Sequence, residues 1–137
     1  MIDEELIEEY RKADYIVAGC ERKIELDSKN NELDEFLATI NPSFLSWALI
    51  TAYNPESDKL SHKENRNRNE RLQKDLLNRN YILVKAEGKD PRENWGTEKS
   101  FLVIDIPKNE AKILAKKYRQ YAILFGMKER EAELVIL

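Results

Sequence analysis

Six segments that alternate between strand and helix patterns run through the chain from residue 45 onward, and they constrain its fold more than any other feature. Short runs rich in apolar, β-branched and aromatic residues predict strands, and apolar residues at every third or fourth position predict helices. The order is strand, helix, strand, strand, helix, strand, over residues 46–53, 61–79, 81–86, 100–106, 108–119 and 121–126. This order predicts an α+β fold with a ferredoxin-like split β-α-β-β-α-β antiparallel sheet.

The first 44 residues predict an extension of helix, hairpin and helix: a helix over 3–12, short strands at 15–17 and 23–26, and a helix that ends near residue 40. A length of 137 residues suits a single domain, with the extension at 1–44 and the core at 45–137. The first and third core strands contain the most uniformly apolar runs, residues 47–52 and 101–104, so we expect both of their faces to be buried. The extension would then cover the face opposite the core helices, and residues 134–137 would add a final strand.

Composition narrows the classes of partner. With 26 acidic against 23 basic residues, the net charge of −3 gives no general attraction to polyanions or anionic membranes, so nucleic acid and membrane partners are not expected. The acidic N-terminus and the lack of an apolar run of about 20 residues predict a protein without signal peptide or membrane span. One cysteine and one histidine argue against a His/Cys zinc site and fit the cytoplasm. No metal or cofactor is predicted, and a homo-oligomer is left open.

The helix over 61–79 carries polar residues on the face that its later half uses for core packing. A rotation of about 100° per residue places one stripe on that face: Ser61, Asn65, Arg68, Asn69, Leu72 and Leu76. Asparagine has a low helix propensity, so its place on the inward stripe indicates a polar pocket or a polar network. A helix N-terminus also favours anions.

In the predicted topology, several strand and helix ends share the edge of the sheet where this helix begins. The polar and aromatic residues expected to meet there are Thr51, Asn54, Ser61, His62, Asn65, Asn69, Trp95, Glu98 and Gln120. Arg68 lies close in sequence and adds a positive charge. The 12-residue loop 87–98, between two predicted strands, exceeds a tight hairpin and is typical of a functional loop. We therefore expect a small anionic ligand, of a nucleotide-like kind, at this edge.

Structural roles compete with functional ones at each of these positions. Ser61 and Glu64 form a capping-box pattern, and Asn54-Pro55 is a turn signal in its own right. Glu98 is a candidate general base or a partner for backbone amides, and His62 is a second candidate base. Three functions stay open: a binding domain, a small hydrolase or transferase that uses Glu98 or His62, and an interaction module whose polar cluster is only a structural network.

The same residues carry a family resemblance. The quoted segments are Trp47-Ala-Leu-Ile-Thr-Ala-Tyr-Asn-Pro55, Ser61-x-x-Glu-Asn-x-x-Arg-Asn-x-x-Leu72, Trp95-x-x-Glu-x-Ser-Phe-Leu-Val103 and Gln120-x-Ala-Ile123. In this order they resemble a bacterial and phage domain family of unknown function, number 3293, over most of the chain. The resemblance brings no activity. It singles out the positions Thr51, Asn54, Asn65, Asn69, Glu98 and Gln120, and the chain departs from the family pattern at Asn80 and at Glu98-Lys99.

Overall fold

Helices and strands alternate along the chain in the computed structural model, which describes residues 2–90 and 96–137. The longer elements are α1 (Glu4–Lys12), β1 (Asp14–Val17), α2 (Asn31–Ile40), β2 (Ser46–Ile50), α3 (His62–Asn78), β3 (Ile82–Lys89), β4 (Thr97–Ile104), α4 (Lys108–Lys117), β5 (Ala122–Met127) and β6 (Glu133–Ile136). A short 3-10 turn, Pro55–Ser57, follows β2. All six core segments and both N-terminal helices predicted from the sequence have a counterpart here.

The strands form one antiparallel sheet in the order β1-β3-β4-β2-β5-β6. The α+β class is confirmed. The exact ferredoxin-like sheet is not matched, because the observed sheet has six strands in its order instead of four. Strand β1 pairs with β3 and strand β6 pairs with β5, so backbone N–H and C=O groups that would otherwise line the two edges find partners.

The predicted hairpin between residues 15–17 and 23–26 is wrong. β1 pairs instead with β3, in a register that places Tyr15 opposite Gly88. Residues 23–25 form no strand, and Leu26 makes only an isolated bridge with Ala132. The Asn30 side chain explains why no partner strand is needed there: its Oδ1 accepts from the backbone N–H of residue 25 and its Nδ2 donates to the carbonyl of the same residue.

The loop between β3 and β4 is shorter than the predicted span of 87–98. The two strands stay paired as far as Lys89 opposite Thr97, so residues 87–89 and 97–98 belong to the ladder. An ion pair between Glu87 and Lys99, 3.1 Å apart, links the two strands in this extension. The polar character that suggested a loop comes from strand residues whose side chains are not covered by the core.

Two hydrophobic layers bury the central strands. On one face, α3 and α4 contribute Leu72, Leu76 and Leu114, which pack with Ile50 and Val103. On the other face, Leu33 and Leu37 of α2 pack in one cluster with strand residues of β1, β2 and β4, namely Val17, Trp47 and Leu102. Strand β2 and the C-terminal end of β4 are therefore covered on both sides. Among the described residues, no helix combines the length and apolar character needed to cross a bilayer.

Candidate functional site

The start of α3 is capped as its sequence predicts. Ser61 is the N-cap residue, and its Oγ accepts a hydrogen bond from the backbone N–H of Glu64 at 3.1 Å. The inward stripe of the helix is buried at Asn65, Asn69, Leu72 and Leu76. Two amide side chains are thus enclosed one turn apart, where each unpaired polar group would cost about 1–3 kcal/mol.

Backbone groups that follow β2 take up the hydrogen bonds of two α3 side chains. Asn69 Oδ1 accepts from the backbone N–H of Ala52 at 3.0 Å. Arg68 Nε donates to the carbonyl of Ala52 at 2.8 Å, and its Nη2 donates to the carbonyl of Tyr118 at 2.5 Å. The helix is consequently tied both to the end of β2 and to the segment that follows α4.

Asn54 and Asn65 form a closed pair. Asn65 Oδ1 accepts from the backbone N–H of Asn54 at 2.8 Å, and Asn65 Nδ2 donates to Asn54 Oδ1, also at 2.8 Å. Asn54 Oδ1 accepts in addition from the backbone N–H of Leu60, and Asn54 Nδ2 donates to Glu98 Oε2 at 2.7 Å. Asn54 has a φ of 45°, a left-handed conformation that asparagine tolerates. We call the side chains of Asn54, Asn65 and Arg68 the latch.

Thr51 and Gln120 complete the ring of side chains around this turn. Thr51 Oγ1 donates to the carbonyl of Lys99 at 2.6 Å and accepts from the backbone N–H of Tyr53. Gln120 Nε2 donates to the carbonyls of Tyr53 and Tyr118 at 3.0 and 3.3 Å. The structure thus brings these predicted residues together, and their hydrogen bonds are made to the protein itself.

One predicted site residue does not join this group, and another cannot be assigned to it. His62 is exposed on the first turn of α3, with no hydrogen bond or ion pair to any residue that the structure describes. Trp95 lies outside the described residues. Within the described ranges, no group of three or more histidine, cysteine, aspartate or glutamate side chains is placed to hold a metal ion.

Glu98 is the titratable member of the group. Burial raises its pKa from the ordinary 4.5 to about 7, and the hydrogen bond from Asn54 opposes that rise. The carboxyl group borders a small cavity of about 40 Å³, whose lining includes Tyr10, Tyr15 and Ser100. That volume suits one or two water molecules. Glu98 can therefore hold or release a proton near neutral pH, and the cavity beside it has room for water.

A much larger cleft lies on the α3 side of the sheet, where α3 leaves the outer strands uncovered. Its volume is about 560 Å³. Across the strands, Ile16 pairs with Glu87, Glu87 with Lys99, and Lys85 with Phe101, so these side chains share one face and form the floor. We call this space the cleft; its lining also includes Ala18, Ala86, Asn69 and Ser100.

One wall of the cleft offers a buried donor. Asn69 is only 7% exposed, its Oδ1 is occupied by Ala52, and its Nδ2 has no acceptor among the described residues. The exposed Lys85 likewise has no ion pair in that part of the chain, whereas Lys99 is paired with Glu87. Among the described residues, the cleft therefore combines the apolar side chains of Ile16 and Phe101 with one amide donor, Asn69 Nδ2, and one cation without an ion pair, Lys85.

Sequence reasoning missed the floor of this cleft. The alternation of Val84, Lys85, Ala86 and Glu87 is a period-two pattern, and it signals a strand whose polar side chains point away from a buried face. The predicted strand ended at residue 86, so Glu87 was assigned to the loop 87–98 and the strand pairs that bring Lys85 and Glu87 beside Phe101 and Lys99 were not predicted. Asn69 was predicted as a site residue, and it is the one that borders the cleft.

The comparisons with known proteins give one match. A family model described as protein of unknown function, DUF3293, matches residues 50–123. This range runs from the end of β2 to the start of β5, and it includes the latch, α3 and the floor strands β3 and β4. No curated protein and no solved structure matches the chain.

Proposed function

This chain belongs to the DUF3293 family, and we propose that it is a binding domain for a small anionic ligand with an apolar ring or chain, held in the cleft. The observation that carries the proposal is the buried Asn69 Nδ2, a donor that has no acceptor among the described residues and lies at the wall of a cleft of about 560 Å³. Volumes of roughly 300–1,000 Å³ with an apolar lining and few polar groups are typical of small-molecule sites.

The polar groups favour an anion. Lys85 supplies a positive charge on the floor, and Asn69 Nδ2 supplies a hydrogen bond, so both suit a carboxylate or phosphate oxygen. The neighbouring Lys99 is already neutralised by Glu87, which leaves a single net positive charge for the ligand. Phe101 and Ile16 form the apolar part of the floor, where the ring of an aromatic acid or a nucleobase would pack.

This proposal moves the ligand one turn along α3 from the predicted position at the helix start. Around Asn54 and Asn65 the amide groups are taken up by protein partners, so a ligand there would have to break existing hydrogen bonds. At Asn69 a ligand acceptor gains a bond that no described protein group provides. A nucleotide-like ligand stays within this proposal, since it carries both an aromatic base and an anionic group.

Isothermal titration calorimetry against nucleoside monophosphates and aromatic carboxylates tests the proposal. We expect one class of probe to bind the wild type, and Lys85→Gln or Asn69→Asp to weaken that binding about tenfold. Asp at position 69 keeps the acceptor for Ala52 N–H, replaces the free donor by a carboxylate oxygen, and adds a negative charge that repels an anionic ligand. Lys59→Gln, at an exposed lysine outside the cleft, is the matched control. Absence of binding by every probe, or equal losses in Lys85→Gln and Lys59→Gln, would overturn the proposal.

Glu98 favours a second candidate function, an acid–base hydrolase. A carboxyl group with a pKa of about 7 beside a water-sized cavity is suited to take a proton from water. Hydrolysis of p-nitrophenyl acetate and bis(p-nitrophenyl) phosphate is the assay. The enzyme hypothesis expects a rate that rises through pH 7 and is lost in Glu98→Gln. A rate that Glu98→Gln leaves unchanged would contradict it.

A further inference from the structure

A second groove, of about 450 Å³, lies between α3 and the C-terminal end of α4 and is lined mainly by cationic side chains. Arg68, Arg71, Lys74 and Asn78 follow one another at intervals of three, three and four residues, so they form a stripe along α3. Lys117 of α4 lines the opposite side. None of these positions belongs to the floor of the cleft.

The one acidic side chain among the described lining residues is already engaged. Asp75 accepts from Lys117 Nζ at 2.6 Å, from Arg79 Nε at 3.2 Å and from the hydroxyl of Tyr118 at 3.1 Å. These contacts lower the pKa of Asp75, with the Lys117 hydrogen bond as the largest cause. Asp75 therefore stays ionised and neutralises Lys117, and it does not pair with the arginines and lysine of the stripe.

The cations of the stripe are left without a counter-charge. Arg71 and Lys74 make no ion pair or hydrogen bond within the described part of the chain. Arg68 is held by its two backbone bonds, which fix the guanidinium group and leave Nη1 without a protein partner there. Burial lowers the pKa of Arg68, and the charges of Arg71 and Arg119 lower it further, so these cations repel one another.

The length of the stripe indicates the kind of anion. Arg68 and Lys74 are six residues apart, which is about 9 Å along a helix. A chain of phosphates contacts the cations along the whole row at once, whereas a single phosphate reaches both ends only if the Lys74 side chain bends toward Arg68. We propose that this groove binds the phosphate chain of a small molecule with two or more consecutive phosphates. This site is separate from the cleft and does not depend on the proposed function.

Single-stranded nucleic acid fits the groove less well. Sequence-independent binding of single strands uses aromatic side chains on which bases stack. Tyr118 is 9% exposed and its hydroxyl is bound to Asp75, so it offers no stacking surface. The chain as a whole carries a net charge of −3, which adds repulsion beyond the length of the groove.

Isothermal titration calorimetry with inorganic tripolyphosphate at low ionic strength tests the inference. We expect the wild type to bind it more tightly than orthophosphate, and the double variant Arg71→Gln/Lys74→Gln to bind it about tenfold more weakly. The double variant Lys63→Gln/Arg66→Gln removes the same charge from exposed positions of α3 outside the groove lining, and it should retain affinity within about twofold. Lys85→Gln should also leave this affinity unchanged.

Three results would overturn the inference. The first is that tripolyphosphate does not bind the wild type, and the second is that the two double variants lose equal affinity for it. The third is that a single-stranded oligothymidylate binds more tightly than tripolyphosphate and that Arg71→Gln/Lys74→Gln abolishes this binding. The last result would assign the groove to nucleic acid. A nucleoside triphosphate that binds more tightly than tripolyphosphate supports a nucleotide as the source of the phosphate chain, and equal affinity supports recognition of the phosphates alone.

Discussion

The latch and the cleft each contain a buried asparagine of α3, but the two asparagines have different roles. Asn65, which belongs to the latch, has its carbonyl and amide groups satisfied by Asn54 and Leu60. Asn69, one turn later, satisfies only its carbonyl oxygen within the described chain and presents its amide to the cleft. A buried asparagine therefore indicates a ligand site only when one of its polar groups lacks a protein partner.

The comparison also separates stability from binding. Around the latch, a lost hydrogen bond leaves a buried backbone or side-chain partner unpaired, so we expect its effects in the free energy of unfolding. Beside the cleft, Asn69 Nδ2 makes no hydrogen bond within the described chain that its loss would break, so we expect its removal to change ligand affinity. Substitutions in the two regions test whether stability and ligand binding are separated in this way.

The largest effect is expected from the same substitution at the two asparagines. Asn65→Asp removes the donor to Asn54 Oδ1 and sets a carboxylate against that oxygen, and it should lower the free energy of unfolding by about 4 kcal/mol. Asn69→Asp keeps its accepted hydrogen bond and should cost about 1 kcal/mol or less. Urea denaturation at pH 7 measures both, with the exposed Asn67→Asp as control. Equal costs at positions 65 and 69 would abolish the distinction between latch and cleft.

The next effect concerns the pH dependence that Glu98 imposes. Its folded-state pKa of about 7 lies above the ordinary 4.5, so the contribution of its proton to stability is full below pH 4.5 and lost as pH rises through 7. Glu98→Gln stays neutral and keeps an oxygen for Asn54 Nδ2. Relative to the wild type it should gain up to about 3 kcal/mol between these pH values.

Thermal or urea unfolding of both proteins from pH 4 to 8 measures this difference, because the shifts of all other titrating groups are common to the two and cancel. Glu87→Gln, at a cleft carboxylate that pairs with Lys99, is the control for removal of one negative charge in the same hairpin. A pH-independent difference between wild type and Glu98→Gln would show that burial does not keep Glu98 protonated near neutral pH.

The smallest effect is expected from Arg68→Lys. Lysine retains the positive charge, but it cannot reach the carbonyls of Ala52 and Tyr118 together, so the variant should lose about 1 kcal/mol of stability. Ligand binding in the cleft should stay within about twofold of wild type, because Arg68 is not part of its lining. Urea denaturation and calorimetry on one preparation measure both. A loss of cleft affinity without a loss of stability would place Arg68 with the ligand and not with the latch.

Local patterns predicted much of the architecture. The apolar runs of β2 and β4, the Ser61 cap and the stripe of α3 identified the elements, since burial on both faces and capping leave clear marks in a sequence. The pairing of β1 was predicted wrongly, because a short strand pairs with whichever edge the fold offers. The predicted β3–β4 loop was too long, because polar strand residues on an uncovered face resemble loop residues.

The spacing of the α3 residues was enough to predict that two of its polar side chains would be buried, because Asn65 and Asn69 fall on the inward stripe wherever that helix packs. The hydrogen-bond partners of each amide depend on the tertiary structure. Hydrogen-bond satisfaction depends on neighbours from other elements, and these place Asn54 against Asn65 but leave open space beside Asn69. The balance of packing between α3 and the outer strands thus turns one asparagine into a structural bond and the other into a proposed ligand contact.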